Sequence, residues 1–406
     1  MKTTTENRVR RIIIHKSDPR YAPLRDLTLR SAKLWNVALD RTRSSYQING
    51  KTLSFPQLDH ELLSEDNEAY RALPAKVSKM VLRDYCDAMK SFFELLALKR
   101  SGEYKRRVNL PGRANEHVGR VVTFTKQAIN KGSADVSFKI GLPDAKVELE
   151  VGIPHADLQF VRVVPRSGHI VIEVGVRVDI LIGAAKPTAR VAFVDPGMNN
   201  VMTVTSNVFS PLLYSGRKLK STCLFYLDKV ATLQKSGKST AGHILWTRRS
   251  LEVSRQCHEI TNHLVDVLVK NQIDTLIFGR NKGMKTGINL GRATNKSFGS
   301  MPITTIIDYL SYKLRAAGIK MVLTEESYTS KCSFLDAEEI RHHDEYAGSR
   351  VKRGLFVASS GKAINADVNG SLNIGRKYLT KVGLYTAEMD QQLRAAMHSP
   401  RVVKTY

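Results

Sequence analysis

The sequence predicts a multidomain α+β protein: an antiparallel β-barrel interrupted by helices, then a mixed α/β domain with a small insert. Three observations carry this. Hydrophobic residues alternate with period two between residues 121 and 178, and two helical stripes precede them. Beyond Arg190, short apolar runs alternate with long helical ones. A chain of 406 residues should form two or three folding units with an ample core.

In chain order, residues Val9 to His15 alternate basic and apolar and pass through Ile12-Ile13-Ile14, a short strand. From 24 to 46, Leu24, Leu27, Leu34, Trp35, Ala38 and Leu39 recur at helical spacing. After Pro74, Val77, Val81, Tyr85, Met89, Phe92 and Leu96 form a second stripe. Such stripes are core far more often than ligand faces. The run from Lys99 to Arg107 then ends the helical pattern with dense positive charge. Lys105, Arg106 and Arg107, with Tyr104 interleaved and Arg113 and Arg120 following, suit a phosphate track with a base-stacking aromatic as well as they suit a solvated surface. Val147, Leu149, Val151 and Ile153 alternate with Glu148, Glu150 and Gly152, and Pro165-Arg166-Ser167-Gly168 marks a hairpin. Closing a barrel from these strands requires the N-terminal strand, so the helices at 21–100 read as an insertion into it.

Residues 183–188 read as a linker. A buried strand then runs from Arg190 to Asp195 into a Pro-Gly turn, and a second follows at Val201 to Thr205. A long helix is expected at 241–272, a strand at Thr275 to Phe278, a helix at 303–317 and a strand at 319–323. Two early strands joined by a tight turn, then helix and strand in alternation, is the pattern of a ribonuclease-H-type sheet. From 386 the chain reads as helical and then basic.

Lys and Arg total 63 against 38 Asp and Glu, a formal charge of +25. A small-metabolite enzyme gains nothing from this excess, whereas a polyanion binder does. No long apolar run or amphipathic anchor points to a membrane, and the first residues carry no apolar leader, so a cytoplasmic, nucleoid-associated protein is expected. Cys86, Cys223, Cys257 and Cys332 form no Cys-x-x-Cys pair, which argues against disulfides and structural zinc. His342 and His343 are adjacent, so on an extended strand they face opposite ways and make a poor metal pair.

The acids carry the chemistry. Asp195 sits at a strand's C-terminal tip, and Asp367, in Ile364-Asn-Ala-Asp-Val-Asn-Gly370, sits where a helix begins, a favoured place for an anion. Two carboxylates far apart in sequence on stiff elements suit a pair of magnesium ions acting on a phosphodiester. Such a site needs a third acid. The tip of the strand at 275–279 offers Gly279, Arg280, Asn281 and Lys282, and no carboxylate. The next strand ends in Glu325 and Glu326, of which one can face the metals.

Tyr328-Thr-Ser-Lys331, Ala366-Asp367-Val-Asn-Gly370 and Asp195-Pro-Gly197 resemble the RuvC nuclease motifs of TnpB, the RNA-guided endonuclease of insertion sequences, related to Fanzor and to type V CRISPR effectors. The likeness is close over 190–378, including Gly279-Arg-Asn-Lys-Gly283 and Ser349-Arg-Val-Lys-Arg-Gly-Leu355, and weaker before that, where Phe124-Thr-Lys-Gln127 is the most familiar piece. It implies a wedge barrel at 1–20 and 107–183, a helical recognition domain at 21–106, a RuvC nuclease domain at 184–326 and 367–390, a target-nucleic-acid-binding insert at 327–366 and a tail at 391–406. The chain departs from the common pattern twice: the usual glutamate after the fourth strand is absent, and the insert lacks its two Cys-x-x-Cys pairs. Both departures resemble a branch with a rearranged site, which puts the glutamate at Glu326, with Glu325 in reserve.

The resemblance thus implies an RNA-guided, transposon-associated DNA endonuclease that uses two Mg2+ ions (Mn2+ substituting) and no structural zinc, with Asp195, Glu326 and Asp367 as catalytic metal ligands. Its partners would be a guide RNA and double-stranded target DNA, and it would act as monomer or homodimer. Arg280, Lys282, Lys331, Arg350 and Arg353, with the 105–107 run, are the candidate nucleic-acid contacts. Two rivals remain: a nuclease-dead RNA-guided repressor, favoured by the missing usual glutamate, and a DNA transposase, which needs no RNA.

Overall fold

The computed structural model describes residues 2–134, 137–141, 146–182, 190–280 and 291–404. The chain divides into two units, Thr5–Asp179 and Met1–Thr4 with Ile180–Tyr406. The 183–188 linker and Lys282 lie outside the described residues.

The first unit runs β1 (Lys2–His15), α1 (Tyr21–Asn49), α2 (Phe55–Ser64), α3 (Glu68–Arg71), α4 (Ala75–Arg100), β2 (Val122–Thr125), β3 (Ile129–Lys131), β4 (Ser137–Gly141), β5 (Lys146–Glu150), β6 (Leu158–Arg166) and β7 (His169–Ile182). The strands form two sheets, one ordered β1-β7-β6-β2 and the other an antiparallel β3-β4-β5. Both stripes read from the sequence are buried: Leu24, Leu27, Leu34 and Trp35 of α1 share one core with Val77, Val81 and Tyr85 of α4 and with Phe124 and Val163 of the sheet. α1 stops at Gly50, whose φ of +64° is open to glycine at little cost and whose N–H reaches Tyr46 O at 2.9 Å. α2 opens on a capping box between Ser54 and Gln57, a signal absent from the expected element order, which left 47–74 without a helix.

The second unit runs β8 (Val191–Pro196), β9 (Asn200–Ser206), β10 (Leu212–Ser215), α5 (Arg217–Lys235), α6 (Ser239–Lys270), β11 (Thr275–Gly279), α7 (Arg292–Ser300), α8 (Ile303–Ala316), β12 (Lys320–Thr324), β13 (Ser349–Lys352), β14 (Leu355–Val357), β15 (Ala363–Asn365), α9 (Ala366–Lys381), α10 (Ala387–Ala396) and β16 (Arg401–Val403). Its main sheet has the order β12-β11-β8-β9-β10-β16. β9 is antiparallel to β8 and β10, whereas β11 is parallel to both β8 and β12. The helix expected at 241–272 is α6, and the structure adds α5 before it, with a break at Gly237 (φ +72°).

Helices cover both faces of this sheet. Successive strand residues point to opposite sides. Ala192 and Val194 of β8 therefore pack with Ile260 and Leu264 of α6 and Leu310 of α8. Val191 and Phe193 pack with Val368 and Leu372 of α9 and Leu393 of α10. The next residue on that second side is Asp195. β13, β14 and β15 form a separate antiparallel sheet between β12 and α9, joined to the α9 face through Phe334, Phe356 and Ile364. The architecture is mixed α/β with several sheets, as the sequence predicts.

Without Cys-x-x-Cys pairs, the insert is tied to α9 by polar bonds. Asn369 accepts from Phe334 N and donates to Cys332 O, each at 2.9 Å. Asn373 donates to Thr329 O at 3.0 Å and Cys332 O at 2.7 Å. The Glu338 carboxylate accepts from Ser333 N at 2.7 Å and Ala347 N at 2.9 Å. Cys332 is fully buried, and burial pushes its thiol pKa up.

Candidate acidic site at the carboxyl edge of the sheet

β8, β11 and β12 run parallel, so their carboxyl ends share one edge, the usual place for a site in a sheet of this kind. Phe278 pairs with Val194 and Gly279 with Thr324, which brings Asp195, Gly279 and the Glu325-Glu326 pair to neighbouring positions. Asp367 enters from α9, whose N-cap Asn365 side chain accepts from Asp367 N at 3.0 Å and Val368 N at 3.2 Å.

Two glycines make the room. A Cβ on Gly370 would lie 2.6 Å from Asp195 Oδ2, so α9 approaches the sheet closely only because that position is bare. A Cβ on Gly279 would meet Glu326 Oε2 at 2.5 Å and Ile374 Cδ1 at 2.6 Å. Glu326 thus fills the space a side chain on Gly279 would need. Asp367, Gly370, Ile374 and Lys377 are spaced at i, i+3, i+7 and i+10, one stripe of α9 laid along this edge.

The electrostatics show the convergence. The Asp195 carboxyl is held well above its ordinary value, first by burial, then by Glu326 and then by Asp367, with Arg350 opposing. Glu326 is pushed up to about 7, first by burial and then by Glu325, with Lys377 opposing. Asp195 therefore feels both other acids. Asp367 is held differently: Oδ2 accepts from Asn200 at 2.8 Å and Oδ1 from Arg350 at 3.1 Å. With its amide oriented to satisfy both groups, Asn199 accepts from Arg353 at 2.8 and 2.9 Å. Among the described residues, no three His, Cys, Asp or Glu side chains stand close enough together to hold one metal ion. Three carboxylates without a soft donor are nonetheless a set suited to a hard divalent cation, which would relieve their mutual repulsion.

Glu325 takes the other direction. Its carboxylate accepts from Lys377 Nζ and from Ser327 N, both at 2.5 Å. The remaining candidates are scattered. Arg280 is exposed at the tip of β11, its N–H bonded to Thr324 O at 2.7 Å. Lys331 is exposed with Nζ 5.7 Å from the Tyr346 ring centre. Lys105, Arg106 and Arg107 are exposed in the first unit. The sequence reading missed Asn200, Gly279, Gly370 and Lys377 as site residues. The spacing of Gly370 and Lys377 from Asp367 is the signal that could have found two of them.

Residues 304–374 match the family model "Cas12f1-like, TNB domain", a span from α8 into α9. The TnpB-like protein ORF457 of Acidianus two-tailed virus is 24% identical over 427 residues, which cover 93% of this chain and 88% of the viral protein. A cryo-electron microscopy structure of a Cas12f1–sgRNA–target DNA complex matches with a TM-score of 0.54 at 15% identity, covering 87% of this chain and 81% of that one. No helix among the described residues is long and apolar enough to cross a membrane. The chain is thus similar to a Cas12f1-like domain over 304–374, to a TnpB-like protein along most of both chains, and to Cas12f1 in fold.

Proposed function

We propose that this protein is an RNA-guided DNA endonuclease whose catalytic acids are Asp195, Glu326 and Asp367. The observation that carries the reading is the meeting, at the carboxyl edge of one sheet, of Asp195 beside Gly370, Glu326 over Gly279 and Asp367 at the start of α9. The strand order β10-β9-β8-β11-β12 supports assigning 184–326 and 367–390 to a RuvC-type nuclease domain. The 327–366 insert would bind target nucleic acid, and residues 1–20 with 107–183 would form a wedge barrel around the helical domain at 21–106. The net charge of +25 suits a guide RNA and its DNA target, the partners present in the solved Cas12f1 complex.

Asp195, flanked by the other two acids, is the residue able to share a cation with each, while Asn200 fixes one oxygen of Asp367 and Arg350 neutralises the other. Mg2+, or Mn2+ in its place, would supply activation of the attacking water and stabilisation of the leaving oxygen. Arg280 at the tip of β11 and Arg353, paired with Asn199, would hold phosphates near this edge, with Lys331 a further candidate. Glu326 replaces the acid absent after β11, as in the rearranged branch, and Glu325 is the lesser candidate because Lys377 and Ser327 already occupy it.

The test is cleavage. RNA that copurifies with the protein is sequenced, and plasmid matching its guide segment is incubated with the complex and Mg2+. Guide-dependent cutting is expected, lost in Asp195→Asn while DNA binding persists. Binding without cutting in the unaltered protein would establish the repressor reading instead. Activity without any RNA would overturn both.

A further inference from the structure

Two adjacent glutamates follow β12: Glu326 lies over Gly279 beside Asp195, while Glu325 is held by other groups. Glu325 is bound from two directions: its carboxylate accepts from Ser327 N and from Lys377 Nζ, both at 2.5 Å, and the Ser327 hydroxyl donates to it as well. Lys377 Nζ also donates to Ser327 O at 3.0 Å, so one ammonium clasps both ends of the 325–327 segment. Immediately beyond, Tyr328 has a φ of +65°, a left-handed conformation that a bulky side chain disfavours, and Asn373 of α9 bonds Thr329 O at 3.0 Å. The segment is thus fastened to α9 at two points, with a strained residue between them. Lys377 belongs to the same α9 stripe as Asp367, Gly370 and Ile374.

We infer that Lys377 is a positioning residue: by tethering Glu325 away from the acids, it fixes the β12 exit so that Glu326 is presented beside Asp195. Glu325 and Glu326 share a peptide unit, so anchoring the Glu325 side chain and the Ser327 backbone fixes the direction in which Glu326 leaves the chain. The Lys377 side chain is 26% exposed and that of Glu325 53%, so the pair adds little to overall stability, and its effect lies in geometry. The inference rests on the proposed role of Glu326 as a metal ligand.

The experiment measures Mn2+ affinity by electron paramagnetic resonance on the full-length ribonucleoprotein, with Asp195→Asn as the background for ions bound elsewhere. Lys377→Met should weaken the site about tenfold, the scale on which groups supporting metal ligands act. Glu325→Gln, which breaks the same tether from its other end, should do the same, and the double variant should be no worse than either. Lys377→Arg should restore affinity to within about threefold, since it keeps the cation. Unchanged binding of guide-matched DNA shows that each variant is folded. If Glu326→Gln weakens Mn2+ binding while Lys377→Met and Glu325→Gln do not, the tether is refuted and the ligand role of Glu326 stands. If Glu326→Gln is also without effect, the ligand role itself falls, and the tether with it.

Discussion

Replacing Glu326 by Gln should make the metal-free protein more stable at alkaline pH, against the usual outcome of altering a buried group. Burial and Glu325 raise the Glu326 carboxyl from its ordinary 4.5 to about 7. A carboxyl raised in the folded state binds its proton more tightly there than in the unfolded chain. Its contribution is therefore fully present below pH 4.5 and is lost as pH climbs through about 7. A rise of that size corresponds to about 3 kcal/mol, and partial solvation of the site reduces the expectation to about 2 kcal/mol. Gln imitates the protonated acid and carries no charge to bury. In EDTA, the two proteins should have matching denaturation midpoints at pH 5, with the variant ahead by several degrees at pH 8.5. Added Mg2+ should then raise the midpoint of the unaltered protein more than that of the variant, which keeps only Asp195 and Asp367. Parallel midpoints for both proteins across this range would refute the argument, because Glu326 would not then be a buried, strained charge.

The other predictions follow from contacts at the same edge. Gly370→Ala places a methyl 2.6 Å from Asp195 Oδ2 and should cost about 1–3 kcal/mol in a denaturant titration, with cleavage falling at least tenfold. Asn200→Ala removes the 2.8 Å bond that orients Asp367 and should raise the Mg2+ concentration for half-maximal cleavage about tenfold, leaving DNA affinity unchanged in a gel-shift assay. Asn369→Ala leaves Phe334 N without its side-chain partner and Cys332 O with Asn373 alone, and should destabilise by about 1–3 kcal/mol, with faster amide exchange at 332–336. Cleavage should also rise as pH passes about 7, where Glu326 loses its proton and becomes able to hold a cation, and a rate flat from pH 6 to 8.5 would contradict this.

Much of the frame was legible in the sequence because its signals are local. The run Val191 to Val194 is apolar and leads through Asp195 into Pro-Gly, so its C-terminal end had to be a strand tip. Asp367 follows an Asn that caps a helix, as its neighbours suggest. The two helical stripes around Trp35 and Tyr85 are long enough to be unmistakable, and their rings meet edge to face at 5.1 Å. The elements missed carry weak local signals. α5 buries only Leu219, Cys223 and Val230 and is otherwise rich in Lys, so its stripe is thin. β16 has three residues and exists through its parallel pairing with β10, a contact made across nearly two hundred residues of chain. The orientation of Glu325 and Glu326 was beyond a period-two argument, which says that they diverge and not which one faces inward. Lys377, fifty-two residues away, supplies that answer. The insert likewise owes its shape to Asn369 and Asn373 on α9, residue types that in sequence read as ordinary helix positions.

The most direct test of the central claim is the anomalous scattering of Mn2+ in crystals of the guide-bound protein. Two peaks are expected, one between Asp195 and Glu326 and one between Asp195 and Asp367, both vanishing in Asp195→Asn. Absence of any peak beside Asp195, with Glu326 still lying over Gly279 and Arg350 still bound to Asp367, would contradict the account and leave a protein that grips nucleic acid without cutting it.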